Sequence, residues 1–120
     1  MKTIHKVIRD DLFERDIHLF VGSGKQLEAS GLVSVVDIDS ECSVAVSFHY
    51  EQHELIWINA DINRDMLRSL VHESVHVAVY IMSQCGVPQG EDNNEMVARY
   101  TEYLVGSFVD YLPTKGRIRR

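Results

Sequence analysis

Residues 63–84 read NRDMLRSLVHESVHVAVYIMSQ, and this stretch decides the fold. Its apolar residues recur at spacings of three and four, which is the pattern of an amphipathic helix. The apolar stripe consists of Met66, Leu67, Leu70, Val71, Val75, Ala78, Val79 and Met82. Asp61 or Asn63 suits the N-cap position, and Gly86 and Pro88 suit a helix end. The sequence therefore predicts a long helix over residues 63–84 whose apolar face packs on a core.

Two histidines lie four residues apart on this helix, at His72 and His76. One helical turn takes about 3.6 residues, so both imidazoles leave the same face and can bind one metal ion. Glu73 lies about 100° further round the helix, where it can accept a proton from water instead of acting as a ligand on that face. His72-Glu73-Ser74-Val75-His76 therefore predicts a divalent-metal site, with zinc (Zn²⁺) as the metal. The alternative is a pair of ordinary helix histidines.

The segment from Leu70 to Ala78 resembles the active-site helix of the zincin metallopeptidases. The resemblance is specific over about ten residues and architectural elsewhere, with strands before the active helix and a helix after it. It implies a zinc-dependent peptidase that acts on a protein or peptide substrate, with Glu73 as general base. Short single-domain proteins that resemble this one occur in bacteria and their phages. A zincin-like metal-binding protein with a structural or partner-binding role and little catalysis is the second hypothesis.

The two histidines leave a hydrolytic zinc ion short of one protein ligand. No histidine follows His76, which excludes the extended motif with a third histidine. In the gluzincin branch the third ligand is a Glu on the next helix, and the resemblance implies Glu95. Glu95 also fits a capping box with Asp92, in which its side chain only reaches back to a backbone N–H. Glu91, Asp92 and Glu102 are alternative ligands, and Arg99 stands where many gluzincins carry a histidine-orienting acidic residue.

The rest of the chain predicts a small sheet and further helices. Helices are predicted at residues 3–15, 24–30 and 93–111, the second of them ending at Gly31. Strands are predicted at residues 17–21, 32–38, 42–50 and 55–59, the last two as an antiparallel hairpin. The glycines of Gly22-Ser23-Gly24-Lys25 predict a turn and not a phosphate loop, because the flanking positions do not match that motif. The expected fold is α+β and zincin-like, with a small, mostly antiparallel sheet packed on the HExxH helix and a C-terminal helix.

Two features of the peptidase reaction stay open at the sequence level. The oxyanion of the reaction needs a donor, and Tyr100, Tyr103, His49 and His53 are the candidates. By analogy with zincins, residues 54–59 are a candidate edge strand for substrate, and the alternative is an internal strand with Trp57 in the core.

Length, composition and charge limit the classes of protein to which this chain can belong. The 120 residues predict one domain, which we place at residues 1–114, followed by a basic tail at 115–120. The formal net charge is −6, and the tail holds four of the 12 basic residues. The acidic body argues against nucleic acid as a partner, except through that tail. Cys42 and Cys85 show no metal or redox spacing, and no apolar run suits a membrane span, so we expect reduced thiols in a cytoplasmic protein.

Overall fold

The computed structural model describes residues 2–33, 43–50, 52–88, 90 and 94–113. These residues form four strands, three α-helices and a short 3₁₀ turn. The strands are β1 (Ile4–Asp10), β2 (Arg15–Gly22), β3 (Ala45–Tyr50) and β4 (His53–Asn59). The helices are α1 (Gly24–Ser30), α2 (Met66–Gln84) and α3 (Asn94–Phe108), and the 3₁₀ turn is Val109–Tyr111.

The four strands form one mixed sheet in the order β1-β2-β4-β3. Strands β1 and β2 pair antiparallel, as do β3 and β4, whereas β2 and β4 run parallel. The parallel pair arises because the β3–β4 hairpin places its second strand beside β2. The predicted α+β class is confirmed, with a mixed sheet whose edges among the described strands are β1 and β3.

The two faces of the sheet carry two apolar clusters. On one face, β2 and β4 pack against α2 and α3 through residues such as Ile17, Ile56, Leu70, Ile81 and Leu104. On the other face, α1 covers a smaller cluster that consists of Phe20, Leu27, Val33, Phe48, Leu55 and Trp57. Helix α2 therefore packs against both the sheet and α3, and its exposed residues include His72 and His76.

The helix predicted at residues 3–15 is wrong, because these residues form β1, a turn and the start of β2. Ile4 and Ile8 are four residues apart, which places them on one face of a helix and equally on one face of a strand. Pairing from Ile4–Val21 to Asp10–Arg15 runs along the whole of β1 and satisfies the backbone groups that face β2. Long-range pairing with β2 thus overrides a local pattern that fits both structures.

Helix α2 begins later than predicted. Its N-cap is Asp65, whose side chain accepts a hydrogen bond from the Arg68 N–H at 3.1 Å. Asn63 instead accepts from the Asp65 N–H at 2.9 Å and so shapes the turn before the helix. Neither predicted N-cap, Asp61 or Asn63, caps this helix, although the helix itself is confirmed to Gln84.

Apart from the strand predicted at 32–38, the other predicted elements are confirmed within the described residues. Strand β2, helix α1 with its left-handed Gly31 cap, the β3–β4 hairpin and helix α3 all form close to their predicted bounds. Leu32 and Val33 lie in a turn, and the remainder of the strand predicted at 32–38 lies outside the described residues, as do Cys42 and the tail at 115–120. Cys85 is a free, exposed thiol. No described helix has the length and apolar character that crossing a membrane requires.

The glycine-containing turn after β2 serves the fold. Ser23 accepts a hydrogen bond from the Gln26 N–H, and the Gln26 side chain accepts from the Ser23 N–H, which together form a capping box for α1. A Cβ added at Gly22 would lie 2.9 Å from the Phe20 ring and 3.1 Å from Thr3. The residues that suggested a phosphate loop are thus explained by a tight turn and a helix cap.

Candidate metal centre

The two histidines of the motif converge on one point. His72 Nε2 and His76 Nε2 are 3.1 Å apart, and their rings meet edge to face with centroids 4.8 Å apart. Two imidazole nitrogens bound to one tetrahedral zinc ion lie about 3.3–3.4 Å apart, as follows from Zn–N bonds of about 2.0–2.1 Å. Both histidines are exposed, and Ser74, Val77 and Ala78 are buried on the other side of the helix. The helix therefore presents a nitrogen pair that fits a shared zinc ion.

The carboxylate between the histidines lies in a groove between α2 and β3. Glu73 is only 7% exposed. The groove has a volume of about 720 Å³, and Glu73 and His76 line it together. Its remaining wall consists of Ala45, Val46, Ser47 and His49 from β3 and Val75, Val79, Tyr80 and Ser83 from α2. The predicted general base and one of the two predicted metal ligands thus share a groove bordered by β3, an edge strand among the described strands.

The predicted third ligand lies apart from this pair. Glu95 is in the first turn of α3 with its side chain 73% exposed, and it accepts a hydrogen bond from Arg99 Nε at 3.0 Å. Within the described residues no three His, Cys, Asp or Glu side chains form a group that could hold a metal ion. The structure therefore does not group Glu95 or Glu102 with His72 and His76. Glu91, Asp92 and therefore the predicted capping box lie outside the described residues. The third ligand stays a prediction.

Arg15, Glu54 and His49 form a polar network that connects the sheet with the groove. His49 Nδ1 lies 2.5 Å from Glu54 Oε1, and the Glu54 side chain is fully buried. Arg15 Nη1 lies 3.9 Å from Glu54 Oε2, at ion-pair distance. The His49 ring stacks on the Tyr80 ring with centroids 4.1 Å apart and planes 15° from parallel. His49 is therefore fixed from two sides at the wall of the groove.

The other three candidate oxyanion donors lie elsewhere. The Tyr100 hydroxyl donates a hydrogen bond to Asp10, the last residue of β1. Burial together with this hydrogen bond raises the pKa of Tyr100. Tyr103 packs against Tyr100 at the side of an apolar hollow formed by α3 and the β1–β2 turn. His53 lies on the opposite face of the sheet beside His18, where burial and neighbouring histidines lower the pKa of His18. Of the four candidates, His49 alone lines the groove that contains Glu73 and His76.

Strand β4 is internal, so residues 54–59 are not an edge available to substrate. It lies between β2 and β3, and Trp57 is buried with its Nε1–H donating to the Gly22 carbonyl at 3.0 Å. The edge that borders the groove is β3, the other strand of the predicted hairpin. Sequence reasoning also missed the His49–Glu54 pair, although the hairpin register alone places these two residues opposite each other.

The chain was compared with protein-family models, with curated proteins and with solved structures. None of the three comparisons finds a match.

Proposed function

We propose that this chain is a zinc-dependent metallopeptidase that hydrolyses a peptide bond in a protein or peptide substrate in the cytoplasm. One observation carries the proposal. The nitrogens of His72 and His76 converge to 3.1 Å, and the buried Glu73 lies beside them in a groove along a sheet edge. A structural metal site needs no such carboxylate, whereas hydrolysis requires a base next to the metal.

The proposed roles follow from the placement of the side chains. His72 and His76 hold zinc, and Glu95 completes the ligand set by resemblance to gluzincins, which requires it to leave Arg99. Bound zinc supplies Lewis-acid chemistry, polarising the scissile carbonyl and activating water. Glu73 accepts the proton of the attacking water, and its burial limits competing contacts with bulk solvent.

The groove suits an extended peptide. Strand β3 has a partner, β4, on one side only among the described strands, so its other side can pair with the main chain of a peptide. The groove also carries apolar side chains from both walls, including Ala45, Val75 and Val79. Val75 and Val79 are 40% and 37% exposed, which leaves them available for contact. We therefore expect peptides with small or apolar residues near the scissile bond to bind best.

A second candidate is a zincin-like metal-binding protein with little turnover. The contact between Glu95 and Arg99 favours it, because a ligand that is paired elsewhere leaves the metal site incomplete. The two candidates differ in what they predict for the metal and for a substrate. A binding protein needs the metal for folding or for a partner, whereas a peptidase must produce new chain ends.

Cleavage of a mixed peptide library by the purified, zinc-loaded protein tests the proposal. We expect new peptide termini by mass spectrometry, their loss after treatment with 1,10-phenanthroline, and their return when Zn²⁺ is added back. Matched incubations with the metal-free protein give the background. A zinc-loaded protein that yields no new termini above that background would contradict the peptidase proposal and favour the binding protein.

A further inference from the structure

We propose that His49 is a second proton-transfer residue of this site and that Glu54 is its positioning residue. This inference rests on the proposed peptidase function and adds to it the residue that protonates the leaving amine. It is carried by the hydrogen bond between His49 and Glu54, the burial of Glu54, and the position of His49 in the groove.

The hydrogen bond fixes which ring nitrogen of His49 is available. His49 and Glu54 are directly opposed in the antiparallel β3–β4 pair, and His49 Nδ1 lies 2.5 Å from Glu54 Oε1, at hydrogen-bond distance. The Glu54 carboxylate is fully buried, and Arg15 lies at ion-pair distance from its second oxygen. We assign Glu54 as the ion-pair partner of Arg15, and a carboxylate in that role can only accept, so the proposal places a hydrogen on Nδ1 and leaves Nε2 for other partners.

The position of His49 suits contact with a substrate better than contact with the metal. Its ring stacks on Tyr80, which lies one turn beyond His76 on α2. Four helical residues span about 6 Å along the axis, since each adds about 1.5 Å. His49 therefore contacts α2 about 6 Å along the helix axis from His76, which is less than two residues of an extended peptide, and it lines the same groove as His76 and Glu73.

The chemistry of hydrolysis has a place for such a group. Glu73 takes one proton from the attacking water, and the water oxygen bonds to the carbonyl carbon. The C–N bond then breaks with its electron pair going to nitrogen, and the Nε2–H of the His49 imidazolium donates the proton that this nitrogen needs. Glu73 returns its proton to solvent and His49 takes one back, so atoms and charge balance over a cycle. The buried Glu54 carboxylate stabilises the imidazolium, as a carboxylate does for a catalytic histidine elsewhere.

A purely structural ion pair would not need this arrangement. The His49 side chain is 25% exposed and faces a groove, whereas Glu54 is sealed in the sheet. His53 offers a matched contrast, since it is on the same hairpin but lies on the opposite face of the sheet, beside His18. A purely structural role for His49 predicts a loss of stability with unchanged turnover per folded molecule, whereas a role in proton transfer predicts a loss of turnover in the folded protein.

The decisive experiment compares the zinc-loaded His49→Gln and His53→Gln proteins, each with two substrates. One substrate is a peptide cleaved by the wild-type protein, and the other is the same acyl chain as a p-nitrophenyl ester, whose leaving group needs no proton. We expect His49→Gln to lower kcat for the peptide by about 10²–10³-fold, with KM, zinc content and ester hydrolysis nearly unchanged. His53→Gln should leave all four quantities unchanged. Equal losses for peptide and ester, or loss of zinc from His49→Gln, would overturn the proposal.

A second readout does not depend on turnover. Histidine ¹⁵N NMR of the zinc-loaded protein should show the neutral His49 ring with its hydrogen on Nδ1, and Glu54→Gln should remove that preference. A hydrogen on Nε2 in the wild-type protein would overturn the positioning role of Glu54. These experiments distinguish failure of the His49 proposal from failure of the peptidase proposal. A wild-type protein that cleaves nothing removes the peptidase function and this role with it, whereas an active protein unaffected by His49→Gln removes this role alone.

Discussion

Replacing Glu73 with Gln is expected to lower kcat for peptide hydrolysis by about 10²–10⁴-fold, the usual contribution of a general base. Glutamine has nearly the same shape, so it fits the buried position and leaves the His72–His76 pair in place. Its amide cannot accept the proton of the attacking water. Zinc content should therefore stay at the wild-type value while turnover falls.

The measurement pairs kcat on a cleavable peptide with zinc content by mass spectrometry. Glu28→Gln is the matched control, because Glu28 lies on α1, which packs against the opposite face of the sheet. It should keep both turnover and zinc. A Glu73→Gln protein that binds zinc and cleaves peptide at the wild-type rate would show that the proposed mechanism is wrong.

Replacing Trp57 with Ala is expected to lower the free energy of unfolding by about 3–5 kcal/mol, which is the usual cost of removing a buried aromatic ring. Trp57 is fully buried at the centre of the smaller cluster, between α1 and the sheet, and it donates a hydrogen bond to Gly22. Domains of this size are stable by only about 5–15 kcal/mol, so the loss is a large share of the total.

Thermal unfolding followed by circular dichroism measures this effect. We expect Tm to fall by about 10–20 °C for Trp57→Ala. Trp57→Phe is the control, since it keeps most of the ring and loses the indole donor. The Gly22 carbonyl still accepts from the Ala60 N–H at 3.0 Å, so Trp57→Phe should cost only about 1 kcal/mol beyond its smaller volume. A Tm for Trp57→Ala within a few degrees of wild type would contradict the assigned core.

Local patterns in the sequence predict part of this fold and not the rest. Helix α2 follows from a long apolar stripe that fits only one period. Strand β1 could not be predicted in the same way, because the spacing of Ile4 and Ile8 fits a helix and a strand alike. The internal position of β4 has a local signal, because Leu55 to Ile58 is an unbroken apolar run of the kind found in strands buried on both faces. That run does not specify that β2 is the neighbour.

The candidate site likewise contains residues whose placement follows from local helix geometry and residues whose placement depends on long-range packing. His72, Glu73 and His76 lie within one turn and a half of a helix, so helix geometry alone predicts their arrangement. The contribution of His49 depends on the β3–β4 register and on the docking of α2 against β3, which are long-range features. Whether Glu95 reaches the histidine pair depends on how α3 packs against α2, which is long-range, whereas its contact with Arg99 is an i,i+4 pair of the kind that helix spacing predicts.

Zinc content tests the central claim, that His72 and His76 hold zinc, most directly. The wild-type protein, His72→Ala, His76→Ala and the control His53→Ala are loaded with Zn²⁺, freed of excess metal and measured by inductively coupled plasma mass spectrometry. We expect about one zinc ion per chain in the wild-type and His53→Ala proteins and almost none in the other two. Equal zinc content in all four proteins would contradict the claim.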